Sequence, residues 1–535
     1  MRQLFIYPIV TKIQYVRALM KILSLLLLVF QGTTAYAQCP GIDWKKSFGG
    51  TGHDLLQSIQ HCVEGGFVAA GYSHTANGDV TQNHGNKDFW VVRLSDTGSI
   101  VWQKSLGGSE DDYAASVIRT NDGGFVVFGY TSSDDGDITN SKGGIDYWMV
   151  KLDEIGNVEW QKSLGGSIFE YGHEVIQTTD GGFAVVGFSC SVDGDITGNH
   201  GDYDYWVVKL DGSGEILWQK ALGGSSLDQA FGIRQTTDGG YIVAGASISD
   251  DGDVSHHIAS NDCWIVKLDA SGNLSWEKSY GGTGSEFPSS IVQTSDGGYV
   301  FAGWSTSSNG DATVNHGERD AWIVKLNSVG DLLWQHSYGG SLTETANEIR
   351  QTPDGNYIVC GYSFSDDGDL SSNQGEEDYW IMKLDYSGNL IWQQSFGGSH
   401  ADQGRAIAQS PDGSFILSGG SDSNDGDVTG NHGNGNKDGW VLKLYPEVLS
   451  LETLEPAEHQ RIYPNPAKDF IILQPVSGWI EGYDFLIRDG MGRIVMKGST
   501  VTGEKISIQT LTTGCYFIEV TPDKSKSGVF QFIRN

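Results

Sequence analysis

An acidic loop that recurs seven times is the most regular pattern of reactive side chains in the sequence. It reads [Asp/Asn]-Gly-Asp-x-[Thr/Ser] and ends on a further aspartate, so that oxygen-bearing side chains stand at loop positions 1, 3, 5 and 12 in six of the seven copies. This spacing suits Ca²⁺, which takes about six to eight oxygen ligands. The loops lack the position-6 glycine and position-12 glutamate of an EF-hand, and Asp and Asn can instead cap their own turns. The candidate calcium ligands are Asp79, Asp88, Asp135, Asp137, Asp146, Asp193, Asp195, Asp204, Asp251, Asp253, Asp262, Asp311, Asp320, Asp367, Asp369, Asp378, Asp425, Asp427 and Asp438.

A second acidic series places one carboxylate ten residues after a regularly spaced tryptophan. If the repeats close into a ring, these acids form a ring about its axis. At a spacing of ~10 Å and an effective dielectric constant of ~20, neighbouring carboxylates would repel each other by about 1.7 kcal/mol. The acids therefore require cations or hydrogen-bond donors, and a bond to loop backbone in every repeat is the structural alternative. The predicted axial acid ring comprises Asp54, Asp112, Glu170, Asp228, Glu286, Glu344 and Asp402.

The sequence contains none of the common catalytic or phosphate-binding motifs. GxSxG, HExxH, GxxxxGK[ST] and CxxC are all missing. We therefore expect a protein that is not an enzyme, although carboxylates in a ring leave a hydrolase or lyase as an alternative. The 67 acidic residues outnumber the 34 Lys and Arg, which argues against nucleic acid as a partner because phosphate contacts need basic side chains.

Two tryptophan series determine the organisation of the chain. Trp44 and Trp102 begin a series with a spacing of 58 residues, and Trp90 and Trp148 begin a second series with the same spacing. Fourteen of the sixteen tryptophans belong to these series. A period of this length is typical of propellers and solenoids. We expect both series to pack between repeats.

Each repeat contains four short strand patterns and no helical periodicity. The unit from Trp102 to Lys151 has an apolar run at Phe125–Tyr130 and turn signals at Asn121–Gly124 and Asp153–Asn157. The sequence therefore predicts an all-β fold, with a seven-bladed β-propeller of 58-residue repeats at 38–446 and a small C-terminal immunoglobulin-like β-sandwich. No hairpin signal follows Leu444, so we expect the Trp44 strand to complete the last blade.

The two ends of the chain carry targeting signals. Residues 1–37 resemble a signal peptide with a short apolar core, in which Met20 is a more natural start than Met1. Its cleavage would leave a mature chain without a transmembrane segment. The six cysteines have unrelated positions in the repeats, so we expect single thiols rather than a disulfide framework. Residues 447–460 read as an acidic linker, and 461–535 form a separate module.

The C-terminal module contains Tyr463, Pro464, Asn465 and Pro466, followed by Asp489-Gly-Met-Gly-Arg493, Leu511-Thr-Thr-Gly514-Cys515-Tyr516-Phe517 and the ending Phe532-Ile533-Arg534-Asn535. These residues, including Gly514 and Tyr516, resemble the type A C-terminal sorting domain of type IX secretion substrates. The repeats resemble bacterial β-propeller repeats with a Gly-Gly, Asp-Gly-Gly and Gly-Tyr-Thr-Ser pattern. The resemblance implies the type IX secretion machinery as a partner and delivery to the outside or outer surface of a Gram-negative bacterium.

Composition places the negative charge in the propeller. Residues 38–446 contain 21 Lys and Arg against 56 Asp and Glu. The first functional hypothesis is an exported, non-enzymatic propeller that binds an extracellular glycan or protein on one face. The second is a structural or adhesin component of the cell surface stabilised by calcium, which is the only cofactor the residues suggest. A propeller hydrolase is a third and weaker alternative.

Overall fold

The computed structural model describes residues 36–37, 39–433, 435–447, 449–450, 461–463, 467–474, 483–489, 494–500, 504–522 and 528–534. They divide into the unit Cys39–Glu447 and a second unit formed by the N-terminal residues with 448–535. Most of the predicted signal peptide and linker lies outside the described residues. Of these two segments the structure describes only Tyr36–Ala37 and Leu449–Ser450, which pair as two short antiparallel strands. Every element longer than a turn in the described ranges is a strand. No helix in these ranges has the length and apolar character needed to cross a membrane.

Seven four-stranded antiparallel sheets make up the larger unit. The first strands span Leu55–His61, Asp112–Arg119, Glu170–Gln177, Asp228–Gln235, Glu286–Gln293, Glu344–Gln351 and Asp402–Gln409. The second strands span Phe67–Ser73, Phe125–Thr131, Phe183–Ser189, Tyr241–Ser247, Tyr299–Ser305, Tyr357–Ser363 and Phe415–Ser421. The third strands span Asp88–Leu94, Asp146–Leu152, Asp204–Leu210, Asp262–Leu268, Asp320–Leu326, Asp378–Leu384 and Asp438–Leu444. The fourth strands span Ile100–Leu106, Val158–Leu164, Ile216–Leu222, Leu274–Tyr280, Leu332–Tyr338, Leu390–Phe396 and Ile42–Phe48.

The sheets are the blades of a closed ring. First strands of successive blades contact each other, and the first strand of blade 7 contacts that of blade 1. The fourth strand of blade 7 comes from the N-terminal end, because Ile42–Phe48 pairs antiparallel with Asp438–Leu444. This confirms the seven-bladed propeller and the predicted closure of the last blade.

The two ends of each blade differ. Because the strands are antiparallel, the long loops between second and third strands share one face of the propeller with the connections between blades; we call this the loop face. The tight turns between first and second strands, and between third and fourth strands, lie on the opposite side, which we call the turn face.

The two tryptophan series differ in burial. The third-strand series lies in the core. Trp90 and Trp148 are 0% exposed, and the ring centres of Trp148 and of Phe89 in the preceding blade are 4.5 Å apart. Tryptophans of the fourth-strand series are mostly half-buried. Trp102 packs edge-on against Phe125 of the next blade at 5.7 Å. The prediction of inter-blade packing holds for both series, but only the third-strand tryptophans are all fully buried.

The blade that the two chain ends complete lacks one hydrogen bond. In the other blades the indole N–H of the third-strand tryptophan donates to a side chain on the fourth strand, as from Trp90 to Gln103 at 2.9 Å. Lys45 occupies that position in blade 7 and cannot accept, and Nε1 of Trp440 is buried without a partner among the described residues. A buried donor left unpaired costs about 1–3 kcal/mol.

We therefore expect Lys45→Gln to stabilise the protein by about 1 kcal/mol, because the amide oxygen would accept from Trp440. The control is Lys46→Gln, which removes the same charge on the opposite side of the strand. Urea denaturation of both variants measures the difference. Equal stability of the two variants would contradict the prediction.

The second unit contains two antiparallel sheets. One has the strands Arg461–Tyr463, Phe470–Gln474 and Lys505–Ser507, and the other has the strands Ile494–Thr500, Tyr483–Asp489, Gly514–Pro522 and Gly528–Arg534 in that spatial order. Side chains from both sheets, among them Ile471, Ile487 and Ile518, form one apolar cluster. The immunoglobulin-like topology stays a prediction.

Candidate ligand-binding site

The acidic loops are held together by hydrogen bonds to backbone. The first aspartates accept a backbone N–H from the inter-blade connection that precedes their blade at 2.7 Å, as Asp135 does from Ser109. Oδ2 of the second aspartates accepts from a glycine at 3.1–3.3 Å, as Asp137 does from Gly107. Asp427 instead accepts from Lys45 and from the side-chain amide of Gln374. Most of these contacts join the loop to the preceding inter-blade connection rather than capping the loop's own turn.

The aspartates that begin the third strands are the most buried of the candidate calcium ligands. All seven are at most 1% exposed, and Oδ2 of each accepts a backbone N–H from its own loop at 2.5–2.8 Å, as Asp88 does from His84. Oδ1 of each has no hydrogen-bond partner among the described residues. No group of three or more His, Cys, Asp or Glu side chains in the described ranges is arranged to hold a metal ion. Calcium therefore stays a prediction.

The predicted axial ring acids lie in the wall of the propeller. All seven are 0% exposed. Each accepts the N–H of a connecting glycine at 2.7–2.9 Å, as Asp112 does from Gly108. Serine hydroxyls at the end of the second strand supply a further donor in several blades, as from Ser189 to Glu170 at 2.9 Å. Hydroxyl and backbone groups are therefore the hydrogen-bond donors that we expected these acids to need. The acids contact the loops and are not exposed to solvent.

Ring acids and third-strand aspartates meet in pairs across blade boundaries. A Cβ built on Gly107 would lie 2.8 Å from Oδ1 of Asp88 and 2.5 Å from Oδ2 of Asp112, so both carboxylates approach the same glycine. Burial is the main cause that raises the pKa of Asp112 to about 6, and the neighbouring Asp88 adds to it. Burial likewise raises the pKa of Asp204 and Asp438 to about 6. These buried carboxylates therefore take up a proton as the pH falls to about 6, well above the usual range of an aspartate.

Aromatic side chains form a continuous chain around the axis near the loop face. Successive ring centroids along it are 4.6–6.3 Å apart. The members, which we call the aromatic arc, are Tyr72, Tyr113, Tyr130, Tyr171, Phe188, Phe231, Phe287 and Trp304. All except Phe188 are partly exposed. The arc spans blades 1–5 and is interrupted in blades 6 and 7, where Thr345, Gln403 and Gly420 occupy equivalent positions.

Cationic groups border the arc at both ends. Nζ of Lys87 lies 4.5 Å from the ring centre of Tyr113, and it is 3.9 Å from the Asp111 carboxylate. The guanidinium of Arg319 lies 3.9 Å from the ring centre of Trp304. Partly exposed rings flanked by charged hydrogen-bonding groups are a common arrangement in ligand sites.

A cavity of about 650 Å³ lies on the axis and is lined by residues of all seven first strands. Every first strand has a bulge where the register with the second strand shifts, after the third residue in blades 2–7 and after the second residue, Leu56, in blade 1. All seven bulge residues line the cavity: Gln57, Ala115, His173, Phe231, Ser289, Asn347 and Arg405. No two neighbouring blades carry the same residue there. The pseudo-symmetry of the propeller is thus broken at its axis.

This cavity is the functional feature that sequence reasoning missed. The acids that the sequence singles out recur in every repeat, whereas the residues at the cavity differ from one repeat to the next. The signal was present: the first strand is Glu170-Tyr-Gly-His-Glu-Val-Ile-Gln177 in blade 3 and Asp402-Gln-Gly-Arg-Ala-Ile-Ala-Gln409 in blade 7. Their fourth and fifth residues differ while the flanking acid and glutamine are retained.

The C-terminal module matches a known family. Residues 461–533 match the secretion system C-terminal sorting domain. The export module predicted from Tyr463 and Gly514 is confirmed. Tyr516 of this module is 5% exposed, and its hydroxyl donates to the Thr512 carbonyl at 2.8 Å, while Pro464, Asn465 and Pro466 lie outside the described residues. The sorting domain indicates secretion through the type IX system, to the cell surface or the extracellular space.

Comparisons of the rest of the chain give distant likenesses. Regulatory protein FlaEY of Caulobacter vibrioides is 24% identical over 260 residues, which are 44% of this chain and 27% of that protein, so this chain spans about a quarter of its relative. The Pan2 WD40 domain of Neurospora crassa is 10% identical with a TM-score of 0.41, over 74% of this chain and 95% of that one. Puromycin hydrolase is also 10% identical with a TM-score of 0.41, over 89% of this chain and 60% of that one. None of these likenesses assigns an activity.

Proposed function

We propose that this protein is an exported, non-catalytic propeller that binds an extracellular glycan on its loop face through the aromatic arc. The observation that supports this is the chain of ring contacts from Tyr72 to Trp304, in which every ring except that of Phe188 is partly exposed. Sugar rings present flat C–H faces that stack on aromatic rings, and charged groups such as Lys87 and Arg319 can bind the hydroxyl groups. A protein ligand would instead favour a larger apolar patch.

The two glutamates of the axial cavity support a non-catalytic role. Glu174 accepts the backbone N–H of Ile233 at 2.8 Å, and Glu348 accepts that of Ile407 at 2.7 Å. Each glutamate also forms an ion pair with an arginine. Carboxylates engaged in this way serve as inter-blade hydrogen-bond acceptors, which leaves them poorly placed to take a proton from a substrate.

A glycan array with the full chain tests the proposal. We expect binding to a restricted set of glycans, and a loss of affinity of about tenfold in Tyr113→Ala and Tyr171→Ala, because truncation of a central aromatic contact typically costs 1–2 kcal/mol or more. The matched control is Tyr386→Ala, since Tyr386 is 72% exposed in a third-to-fourth-strand turn on the turn face. The absence of any glycan signal, or an equal loss in the control, would overturn the proposal.

Calcium-dependent stabilisation, with a structural or adhesin role, is the second candidate function. The seven Oδ1 atoms left without partners favour it, because each faces a second carboxylate at a blade boundary. A cation between two such oxygens would offset their repulsion and join neighbouring blades.

A further inference from the structure

The axial cavity concentrates arginine in a strongly acidic protein. The propeller contains six arginines, Arg93, Arg119, Arg234, Arg319, Arg350 and Arg405. Four of the six, Arg119, Arg234, Arg350 and Arg405, line the cavity. No lysine lines it. Arginine presents a planar fork that matches the two oxygens of a carboxylate, which distinguishes it from lysine as a ligand-binding residue.

Three of these arginines have carboxylate partners. Arg119 pairs with Glu64, which lies next to the first-to-second-strand turn of blade 1, and its Nε donates to Glu64 at 3.0 Å. Arg234 pairs with Glu174, and Arg350 pairs with Glu348 at 2.6 Å. Their charges are therefore compensated within the protein.

Arg405 differs from the other three. Among the described residues it has no carboxylate within ion-pair distance; one terminal nitrogen donates to the Gln403 side chain at 2.9 Å, and its Nε is buried without a partner. As the bulge residue of blade 7, it lies on the wall of the cavity. Arg405 is half-buried, and a guanidinium partly withdrawn from water without an anion is unfavourable, so this position calls for a negative group.

The rest of the cavity wall adds polar groups but little charge. Burial lowers the pKa of His173 to about 4, so this imidazole is neutral at physiological pH. Ser290 is 5% exposed, and its hydroxyl has no partner among the described residues. Asn347 is held in place by donating to the Gly404 carbonyl at 2.7 Å. The uncompensated charge of the wall is thus the single positive charge of Arg405.

We propose that the axial cavity binds one carboxylate group of a small organic ligand, with Arg405 as its main contact. A single carboxylate matches the single uncompensated charge, whereas a phosphate dianion would bring excess negative charge into a cavity that also holds Glu174 and Glu348. The volume of about 650 Å³ is in the usual range for small-molecule sites. Arg405 is not part of the aromatic arc, which spans blades 1–5, but Phe231 belongs to the arc and also lines the cavity, so the two sites adjoin.

Titration of the full chain with ¹³C-labelled acetate, followed by line broadening of its NMR signal, tests this site. Acetate is small enough to enter whatever the shape of the cavity. We expect saturable broadening, an affinity about tenfold lower in Arg405→Gln, and an intermediate affinity in Arg405→Lys, which keeps the charge without the fork. The control is Lys220→Gln, which removes one positive charge outside both the cavity and the aromatic arc and should bind acetate like the unchanged protein.

Three results would overturn the proposal. One is the absence of saturable acetate broadening in the unchanged protein. Another is an equal effect of Arg405→Gln and Lys220→Gln in proteins with the same melting temperature. The third is inorganic phosphate, followed by ³¹P NMR, binding more tightly than acetate and losing affinity in Arg405→Gln, because the site would then be a phosphate site.

Discussion

The melting temperature of the protein should rise when the pH is lowered from 8 to 5. Burial raises the pKa of Asp378 to about 7, and it raises that of Asp402 to about 6. Asp112, Asp204 and Asp438 also have pKa values raised to about 6. Their ordinary value in an unfolded chain is near 4, so between pH 4 and 7 the folded protein binds protons that the unfolded chain does not.

The sign follows from that difference in proton binding. The stability contributed by these groups is fully present below about pH 4 and is lost as the pH rises through 6 to 7. One pKa unit corresponds to about 1.4 kcal/mol, so the combined effect should reach several kcal/mol. Below pH 4 the opposite behaviour takes over. The pKa of Asp180 is lowered to about 2, chiefly by the hydrogen bond from Thr178 and then by Lys209, so its protonation destabilises the fold. Maximum stability is expected near pH 4–5.

Thermal melts from pH 4 to 8 at constant ionic strength, with a chelator present, measure this profile. Asp378→Asn should weaken the dependence of the melting temperature on pH. It should also raise the melting temperature at pH 8, because the neutral amide can donate to the neighbouring carboxylate of Asp402. Asp366→Asn removes the same charge from an exposed loop position and is the control. A melting temperature that stays constant or falls between pH 8 and 5 would show that the buried pairs do not control stability.

The same melts with millimolar calcium distinguish a proton from a cation at the carboxylate pairs. A ligand that binds only the folded state must raise its stability once its concentration exceeds the dissociation constant. If calcium raises the melting temperature at pH 8, and Asp88→Asn with Asp146→Asn removes the rise, the calcium-stabilised role gains support, because both aspartates belong to the carboxylate pairs. If only acidification stabilises the protein, the calcium prediction is wrong.

Gly303→Ala should destabilise the protein by about 3 kcal/mol or more, which is the upper range for overpacking a core. A Cβ built on Gly303 would overlap the Phe287 carbonyl oxygen and lie 2.7 Å from Cα of Pro288. Both atoms are backbone and belong to the first strand beside its bulge, so no side chain can move aside. The bulge and the glycine opposite it are thus one structural unit.

Urea denaturation, together with the yield of soluble protein, measures the effect. Gly212→Ala is the matched control, because Gly212 is exposed and the nearest atom to a built Cβ is the Gly181 carbonyl oxygen at 3.4 Å. We expect this control to stay within about 0.5 kcal/mol of the unchanged protein. A similarly small effect of Gly303→Ala would mean that the bulge relaxes freely.

Much of the fold could be predicted because every blade repeats the same local pattern. The third-strand tryptophans and the turn signals gave strand order, blade number and the partner of the Trp44 strand. The contacts between blades could not be predicted from the pattern within one repeat. Asp88 and Asp112 meet at one glycine although they lie in different blades, and nothing in the spacing of either acid series indicates that they pair.

The candidate site was harder to predict because a bulge interrupts the two-residue alternation of a strand. In blade 3, the bulge follows Gly172. His173 lies on the cavity wall, and the neighbouring Glu174 accepts a hydrogen bond from Ile233 of the next blade. A regular strand would put these two neighbours on opposite faces. The sequence therefore shows which positions vary among the copies but does not show that all of them meet at the axis.

The bulges also affect how such a propeller can diversify. The fold depends on the tryptophans, the loop aspartates and glycines such as Gly303, none of which is a bulge residue. The bulge positions already range from Ala115 to Phe231 and Arg405 within one chain, so the scaffold accepts small, aromatic and charged side chains there. Substitutions at seven places, one per repeat, would then change ligand preference without a new loop or a different core. Gene segments that encode single repeats would be suitable units for exchange.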